Sequence, residues 1–319
     1  MSKTVLGIDV SKKKLDVLLM VGGKELKHKF DNSKKGFQML RGWLTSLHIE
    51  KVHACLEATG TYGEAVAEFL YDKGHRVSVV NPYKIKSYAN SDLKRNKTDA
   101  VDARTIADFC MVKDPRDWHP LPAEIKHLQA LTRRINSLQQ MLGAEQNRLE
   151  IASAKVRPSV KRMIRTIEKE IEEIERSIKQ HIDNHPELKQ QRKLLETIPG
   201  IGRKTAQLLL GEIEFSKYTS ARAVAAHAGL TPRKDQSGSS LNKTKLSKVG
   251  NGRIRKALYF PAIVAMQHNK IVSEFASRLS KKGRTPKQVI CAAMHKLLHQ
   301  AFGVIKNNRP FNSDLAFYV

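Results

Sequence analysis

Thr4-Val-Leu-Gly-Ile-Asp-Val-Ser-Lys-Lys-Lys-Leu-Asp-Val-Leu-Leu-Met-Val-Gly-Gly-Lys-Glu-Leu-Lys-His-Lys-Phe30 is the stretch that decides the fold. Its first seven residues form a short apolar run with β-branched members, and the spacing predicts a strand. Ser11 to Lys14 reads as a polar turn. Leu15 to Val21 is a second strand, Gly22-Gly23 a hairpin turn, and Lys24 to Phe30 a third, more polar strand.

Downstream, Phe37, Leu40, Trp43 and Leu44 recur at helical spacing. Val52 to Glu57 is a fourth strand, Tyr62 to Asp72 a helix closed by Gly74, and Arg76 to Val80 a fifth strand stopped at Asn81-Pro82. A further helix starts near Thr98, a candidate N-cap, and runs through Phe109. Three meandering strands followed by βαβ crossovers imply an α/β domain with a mixed five-stranded sheet flanked by helices, the ribonuclease H-like layout. In such a sheet the first and fourth strands run parallel, side by side. Asp9, late in the first strand, and Glu57, ending the fourth, then reach one edge.

Asp99 and Asp102 are three apart, so they share a helical face. Two carboxylates that close repel, and a divalent cation is the usual compensation. An acidic first turn favoured by the helix dipole is the plainer account of that pair alone. With Asp9 and Glu57 at the edge this helix crosses, four carboxylates are expected to converge. Hard oxygen donors suit Mg²⁺ or Mn²⁺, which assist in-line phosphoryl displacement.

Lysine and arginine number 57 against 31 aspartates and glutamates, a formal charge of +26. Such an excess belongs to binders of polyanions. Residues 186–319 hold 24 basic and 7 acidic residues, the first 185 hold 33 and 24, so the excess concentrates at the C-terminal end. Cys55, Cys110 and Cys291 are far apart with no CxxC, which excludes zinc ribbons and a disulfide framework and points to a reducing cytosol. His295 and His299 lack the glutamate of an HExxH site and read as ordinary helix residues. No secretory pattern opens the chain, and no apolar run reaches membrane-spanning length.

Ile125, Leu128, Leu131, Ile135, Leu138, Met141 and Leu142 repeat at threes and fours. After a break at Arg157-Pro158, Val160, Ile164, Ile167, Ile171, Ile174, Ile178 and Ile182 do so again. Both series predict long helices with a coiled-coil seam, and isoleucine at nearly every seam position favours a contact between chains over a hairpin within one.

Beyond Pro186 the chain reads as mainly helical. Leu194 to Ala206 encloses Ile198-Pro-Gly-Ile-Gly202, a helix-hairpin-helix pattern. Gly200 and Gly202 permit the turn and let backbone N–H groups approach a phosphate, and Arg203 and Lys204 add charge. Ala223 to Leu230 reads as a small-residue helix. Thr231 to Ser240, with Arg233 and Lys234 at its start, reads as a flexible polar loop. Lys243, Lys245, Lys248, Arg253, Arg255 and Lys256 form a basic run into a helix beginning near Asn251, with a kink at Pro261, and a last helix covers Pro286 to Lys306.

Gly7-Ile-Asp9, Glu57-Ala-Thr-Gly-Thr-Tyr62, Asn81-Pro82, Asn96-Lys-Thr-Asp-Ala-Val-Asp-Ala-Arg104, Ile198-Pro-Gly-Ile-Gly202, and Gly229-Leu-Thr-Pro232 leading to Ser237-Gly-Ser-Ser240, in this order, resemble the IS110 family of insertion-sequence transposases, the DEDD recombinases related to the Piv invertase. The resemblance covers nearly the whole chain. It implies a RuvC-like DEDD catalytic domain over residues 1–118 with Asp9, Glu57, Asp99 and Asp102 as its acidic residues. It implies a helical coiled-coil segment over 119–185, and a transposase domain over 186–319 with Ser237 as nucleophile. It also implies donor and target DNA as substrates, a structured bridge RNA that chooses them, dimers that assemble into tetramers, and a cytoplasmic place at the nucleoid. The alternative is a Holliday-junction resolvase, a structure-specific endonuclease with metal-activated water and no need of Ser237.

Overall fold

The computed structural model describes residues 3–58, 60–91, 99–237, 241–247 and 249–314, with backbone only at 91, 99–101, 233–237 and 241–245. It divides into two compact units, Met1–Pro120 and Leu121–Val319.

In the first unit β1 (Val5–Val10), β2 (Lys14–Val21) and β3 (Lys24–Asp31) form the expected meander. Gly22 and Gly23 adopt positive φ at the tight turn, which side chains disfavour. Then follow α1 (Lys34–Ser46), β4 (His53–Glu57), a 3₁₀ turn at Thr61–Gly63, α2 (Glu64–Asp72), β5 (Arg76–Val80), α3 (Pro82–Ser91) and α4 (Asp99–Lys113). The sheet order is β3-β2-β1-β4-β5, with β1 parallel to β4 and β4 to β5, as expected. The sequence reading lacks α3, because Asn81-Pro82 looked like a stop. Proline instead opens that helix, where its missing N–H costs nothing. Thr98, the expected cap of α4, lies outside the described residues.

Strand alternation sorts the core into two layers. Leu6, Ile8, Leu15, Val17, Leu19 and Leu56 pack with Leu40 and Leu44 of α1 and Leu70 of α2. Val5, Leu18, Cys55 and Val80 pack with Ile85 of α3 and Ile106 and Cys110 of α4 on the other face. Each fully buried leucine contributes about 1.5–3 kcal/mol. The edge strand β3 is exposed apart from Phe30 and half-buried Leu26, and its lysines discourage pairing with another chain.

The second unit opens with α5 (Ala123–Ile151) and α6 (Arg157–Asp183), which pack on each other within the chain. Leu128, Leu138, Ile167, Ile178 and Ile182 are buried, so at least part of the isoleucine seam serves a contact the reading assigned to a partner chain. The expected break between the two series falls at 152–156, just before Arg157-Pro158, which starts α6. Next come α7 (Pro186–Glu196), α8 (Arg203–Glu212), a 3₁₀ turn at Phe215–Lys217, α9 (Ala221–His227), β6 (Pro232–Ser237), β7 (Leu241–Leu246), α10 (Gly252–His268), α11 (Lys270–Lys281) and α12 (Pro286–Asn307). Within the expected loop at Thr231 to Ser240, Pro232–Ser237 is in fact one arm of a hairpin, β6 antiparallel to β7, and residues 238–240 lie outside the described residues. Helix α10 runs through Pro261. Helix α12 opens with a capping box between Thr285 and Gln288 and Pro286 in its first turn, and buries Leu297, Leu298, Ala301 and Val304. Among the described residues no helix is long and apolar enough to cross a membrane.

Candidate active site and nucleic-acid surface

The β1–β4 ladder pairs Val5 with His53 through to Ile8 with Leu56. Asp9 and Glu57 are the next residues on each strand, side by side. On the other flank of β1, Asp9 pairs with Asp16 of β2, and Asp16 pairs with Lys29 of β3. Glu57 pairs with Val80 of β5. One row across the sheet therefore reads Lys29, Asp16, Asp9, Glu57, Val80. Residues in a row share a face. It is the face beneath α4, since Val5, Leu18 and Cys55 at alternating positions pack there.

Helix α4 runs antiparallel to β1. Ala103 and Ala107 lie against Gly7, and the Cys110 thiol, further along, reaches the His53 carbonyl at the start of β4, at 3.9 Å. The first turn of α4, carrying Asp99 and Asp102, thus sits toward the strand ends where Asp9 and Glu57 stand. The Asp102 side chain is half-buried, and that of Asp99 lies outside the described residues. Arg104 ties the outer side of α4 to Glu25 of β3 at 2.9 Å. Beneath the helix, a hydrogen bond with Cys110 and burial push the Cys55 thiol up, so it stays a neutral core group.

Asp16 is a fifth carboxylate that the sequence reading missed. Its signal was there: it lies seven residues after Asp9, across a four-residue turn. Like charges directly opposite are destabilising, and Lys29 offsets this with a 2.7 Å ion pair to Asp16. As donors, Asp9, Glu57, Asp99 and Asp102 fit a hard divalent cation in kind. Among the described residues, no three His, Cys, Asp or Glu side chains are gathered closely enough to hold an ion.

In the second unit the expected basic residues divide by role. Gly200, at φ +105°, presses on α10, where a Cβ would stand 2.7 Å from the Pro261 carbonyl oxygen, so its missing side chain serves packing. Gly202 is exposed in open space at the N-cap of α8. Arg203 and Lys204 follow it, exposed, with Lys204 2.5 Å from Glu175 and Arg203 3.9 Å from Glu196. Arg253 and Lys256 are exposed on α10. Arg255 instead donates to the carbonyls of Ala228 (2.8 Å) and Gly250 (3.3 Å), closing the loop before α10. Arg233 pairs in register with Lys245, Lys234 with Thr244, and Asp235 with Lys243. Ser237 ends β6 opposite Leu241. Gly238, Ser239, Ser240 and Lys248 lie outside the described residues.

A buried network holds this region together. Arg133 of α5 forks onto Glu212 of α8 at 2.9 and 3.3 Å, and Asn251 donates to the same carboxylate at 2.7 Å. Asn251 in turn caps α10 by accepting from the Arg253 N–H. The sequence pattern offers no sign of it, because its members lie 39 and 79 residues apart.

Comparison with known proteins agrees with the resemblance. Residues 6–152 match the DEDD transposase family of IS110, described as a transposase, and residues 192–277 match the family described as transposase IS116/IS110/IS902. The chain is 37% identical to the pilin gene-inverting protein of Moraxella bovis, and likewise to that of Moraxella lacunata, over 99% of both chains in each case. It is 25% identical to the transposase for insertion sequence element IS1328 of Yersinia enterocolitica, over 97% of this chain and 98% of that one.

Proposed function

The chain belongs to the IS110 family of transposases, a family of DNA recombinases, and from that premise we propose that it cuts and rejoins DNA through a covalent link to Ser237. The observation that carries this reading is the register that sets Asp9 beside Glu57, at the strand ends toward which the first turn of α4 points. We read residues 1–118 as a RuvC-like DEDD catalytic domain, 119–185 as a coiled-coil segment, and 186–319 as a transposase domain with a helix-hairpin-helix at α7–α8.

Asp9, Glu57, Asp99 and Asp102 are the residues that would hold Mg²⁺ or Mn²⁺. Such an ion supplies neutralisation of the charge that builds on a phosphate under attack. Ser237 Oγ attacks the scissile phosphorus, and its proton leaves. The P–O bond to the departing strand breaks, and that oxygen takes up a proton. The resulting phosphoserine ester conserves the bond energy, so a hydroxyl end of a second strand can displace the serine and restore a phosphodiester without ATP. Basic residues around α8, α10 and the β6–β7 hairpin hold the backbone without reading sequence. Choice of donor and target DNA then falls to a structured bridge RNA, within dimers that pair into tetramers.

The test is to stop the reaction with denaturant and look for protein attached to a DNA end. Ser237→Ala loses the adduct and Ser239→Ala keeps it. Cleavage by Ser237→Ala with free ends and no adduct would favour the resolvase alternative. Efficient recombination of the correct sites by RNA-free protein would remove the guide.

A further inference from the structure

The second unit contains a groove of about 910 Å³. It lies between α5 and α6 on one side and α8 and α10 on the other. Arg253, Lys256 and Phe260 follow at three and four residues on α10, so they form one stripe along it. Arg176 and Lys179 stand on α6 in the same way.

Charge is unbalanced here. Lys204, at the mouth, is engaged by Glu175. Among the described residues Arg176, Lys179, Arg253 and Lys256 make no ion pair. Glu172, one turn before Arg176, also lines the groove, and Asp183 acts electrostatically on Lys179. The seven lysines and arginines of the described lining still outnumber its two carboxylates, Glu172 and Glu175, and a chain of phosphates relieves the excess. Amid these cations Phe260 is 73% exposed. The Tyr259 ring stands at 90° to it, 5.6 Å away between centroids. A flat ring open to water beside cations matches an unpaired nucleotide, which offers both a phosphate and a bare base face. A duplex offers phosphates but keeps its base faces covered except at its ends.

We propose that this groove holds an unpaired stretch of nucleic acid, its phosphates on Arg176, Lys179, Arg253 and Lys256 and one base stacked on Phe260. This rests on the reading of the chain as a nucleic-acid enzyme, and is independent of Ser237 and the acidic residues. Single-stranded DNA and RNA share the required chemistry.

The test measures binding of the full chain, with chelator present, to oligo(dT), oligo(U) and a long DNA duplex across a range of salt. Phe260→Ala weakens binding of at least one homopolymer about 5- to 100-fold. It leaves duplex binding and the salt slope unchanged, and Phe260→Trp restores affinity. Whichever homopolymer suffers identifies the strand the groove takes. Lys256→Ala flattens the single-strand salt slope by about 0.7. Equal loss on duplex and single strand would overturn the proposal, as would no loss on either homopolymer. So would a change in particle mass of Phe260→Ala protein free of nucleic acid, which would make the ring a contact between copies of the chain. If the unaltered chain binds none of the three, the nucleic-acid reading itself fails. If it binds them and Phe260→Ala is silent, only the groove assignment fails.

Discussion

Gly7 and Ala103 lie so close that a Cβ on residue 7 would stand 2.3 Å from the Ala103 carbonyl oxygen, and 2.6 Å from the Ala107 nitrogen. Both obstacles are backbone, which cannot swing aside. The approach sets how near α4, and with it Asp99 and Asp102, comes to the ends of β1 and β4.

Gly7→Ala therefore has to lift α4. It is expected to cost about 1–3 kcal/mol and to reduce strand cleavage more than that loss of folded protein explains. Gly42, exposed within α1 with open space around its Cβ position, is the control: Gly42→Ala should gain about 0.5–1 kcal/mol. Urea unfolding and a cleavage assay on both variants measure the contrast.

The carboxylates separate stability from activity. Asp9→Asn and Asp102→Asn should abolish cleavage while the chain still folds and binds DNA. Without metal the melting temperature of Asp102→Asn should hold or rise, because it removes a repelling charge. Asp16→Asn, whose charge Lys29 already offsets, should retain measurable cleavage. Wild-type cleavage by either of the first two in Mg²⁺ would remove the acidic cluster as the active site.

Glu212 is buried, with its side chain 2% exposed, between Arg133 and Asn251. Glu212→Ala leaves both donors without their acceptor and should destabilise by about 3–5 kcal/mol. Glu212→Gln keeps an acceptor oxygen and should lose less. The midpoint of denaturant unfolding orders the three proteins.

Acid should weaken the second unit through His299. Burial, followed by the facing charges of His295, Lys296 and Arg222, lowers its pKa to about 4. The unfolded chain, near 6.5, binds the proton first as pH falls. Stability is thus fully present above about pH 6.5 and drains away down to about pH 4, by roughly 1–2 kcal/mol after allowing for its partial exposure. His299→Leu should flatten that part of the pH profile relative to the unaltered chain. Identical profiles between pH 7 and 4.5 would exclude His299 as the source.

The strands of the first unit were legible because each is a compact β-branched run closed by a turn residue, and their order follows from which connections are too short for a crossover. The β6–β7 hairpin was not legible. Pro-Arg-Lys-Asp-Gln-Ser and Leu-Asn-Lys-Thr-Lys-Leu have little of the apolar alternation that marks a half-buried strand, so each arm owes its state to the other. The isoleucine series announced a seam but not its partner, since a seam looks the same whether α5 or another chain covers it.

The sequence alone determined the family motifs, the five strands of the first unit, and the placing of Asp9 and Glu57 near strand ends. Those depend on residue type and short-range spacing. Only the tertiary structure decided that Asp16 and Lys29 join their row, that Gly200 faces Pro261 while Gly202 faces solvent, and that Phe260 stands among unpaired cations. Each of these is a neighbour relation between segments distant in the chain. It is set by strand register and helix packing, which no local pattern of residues encodes.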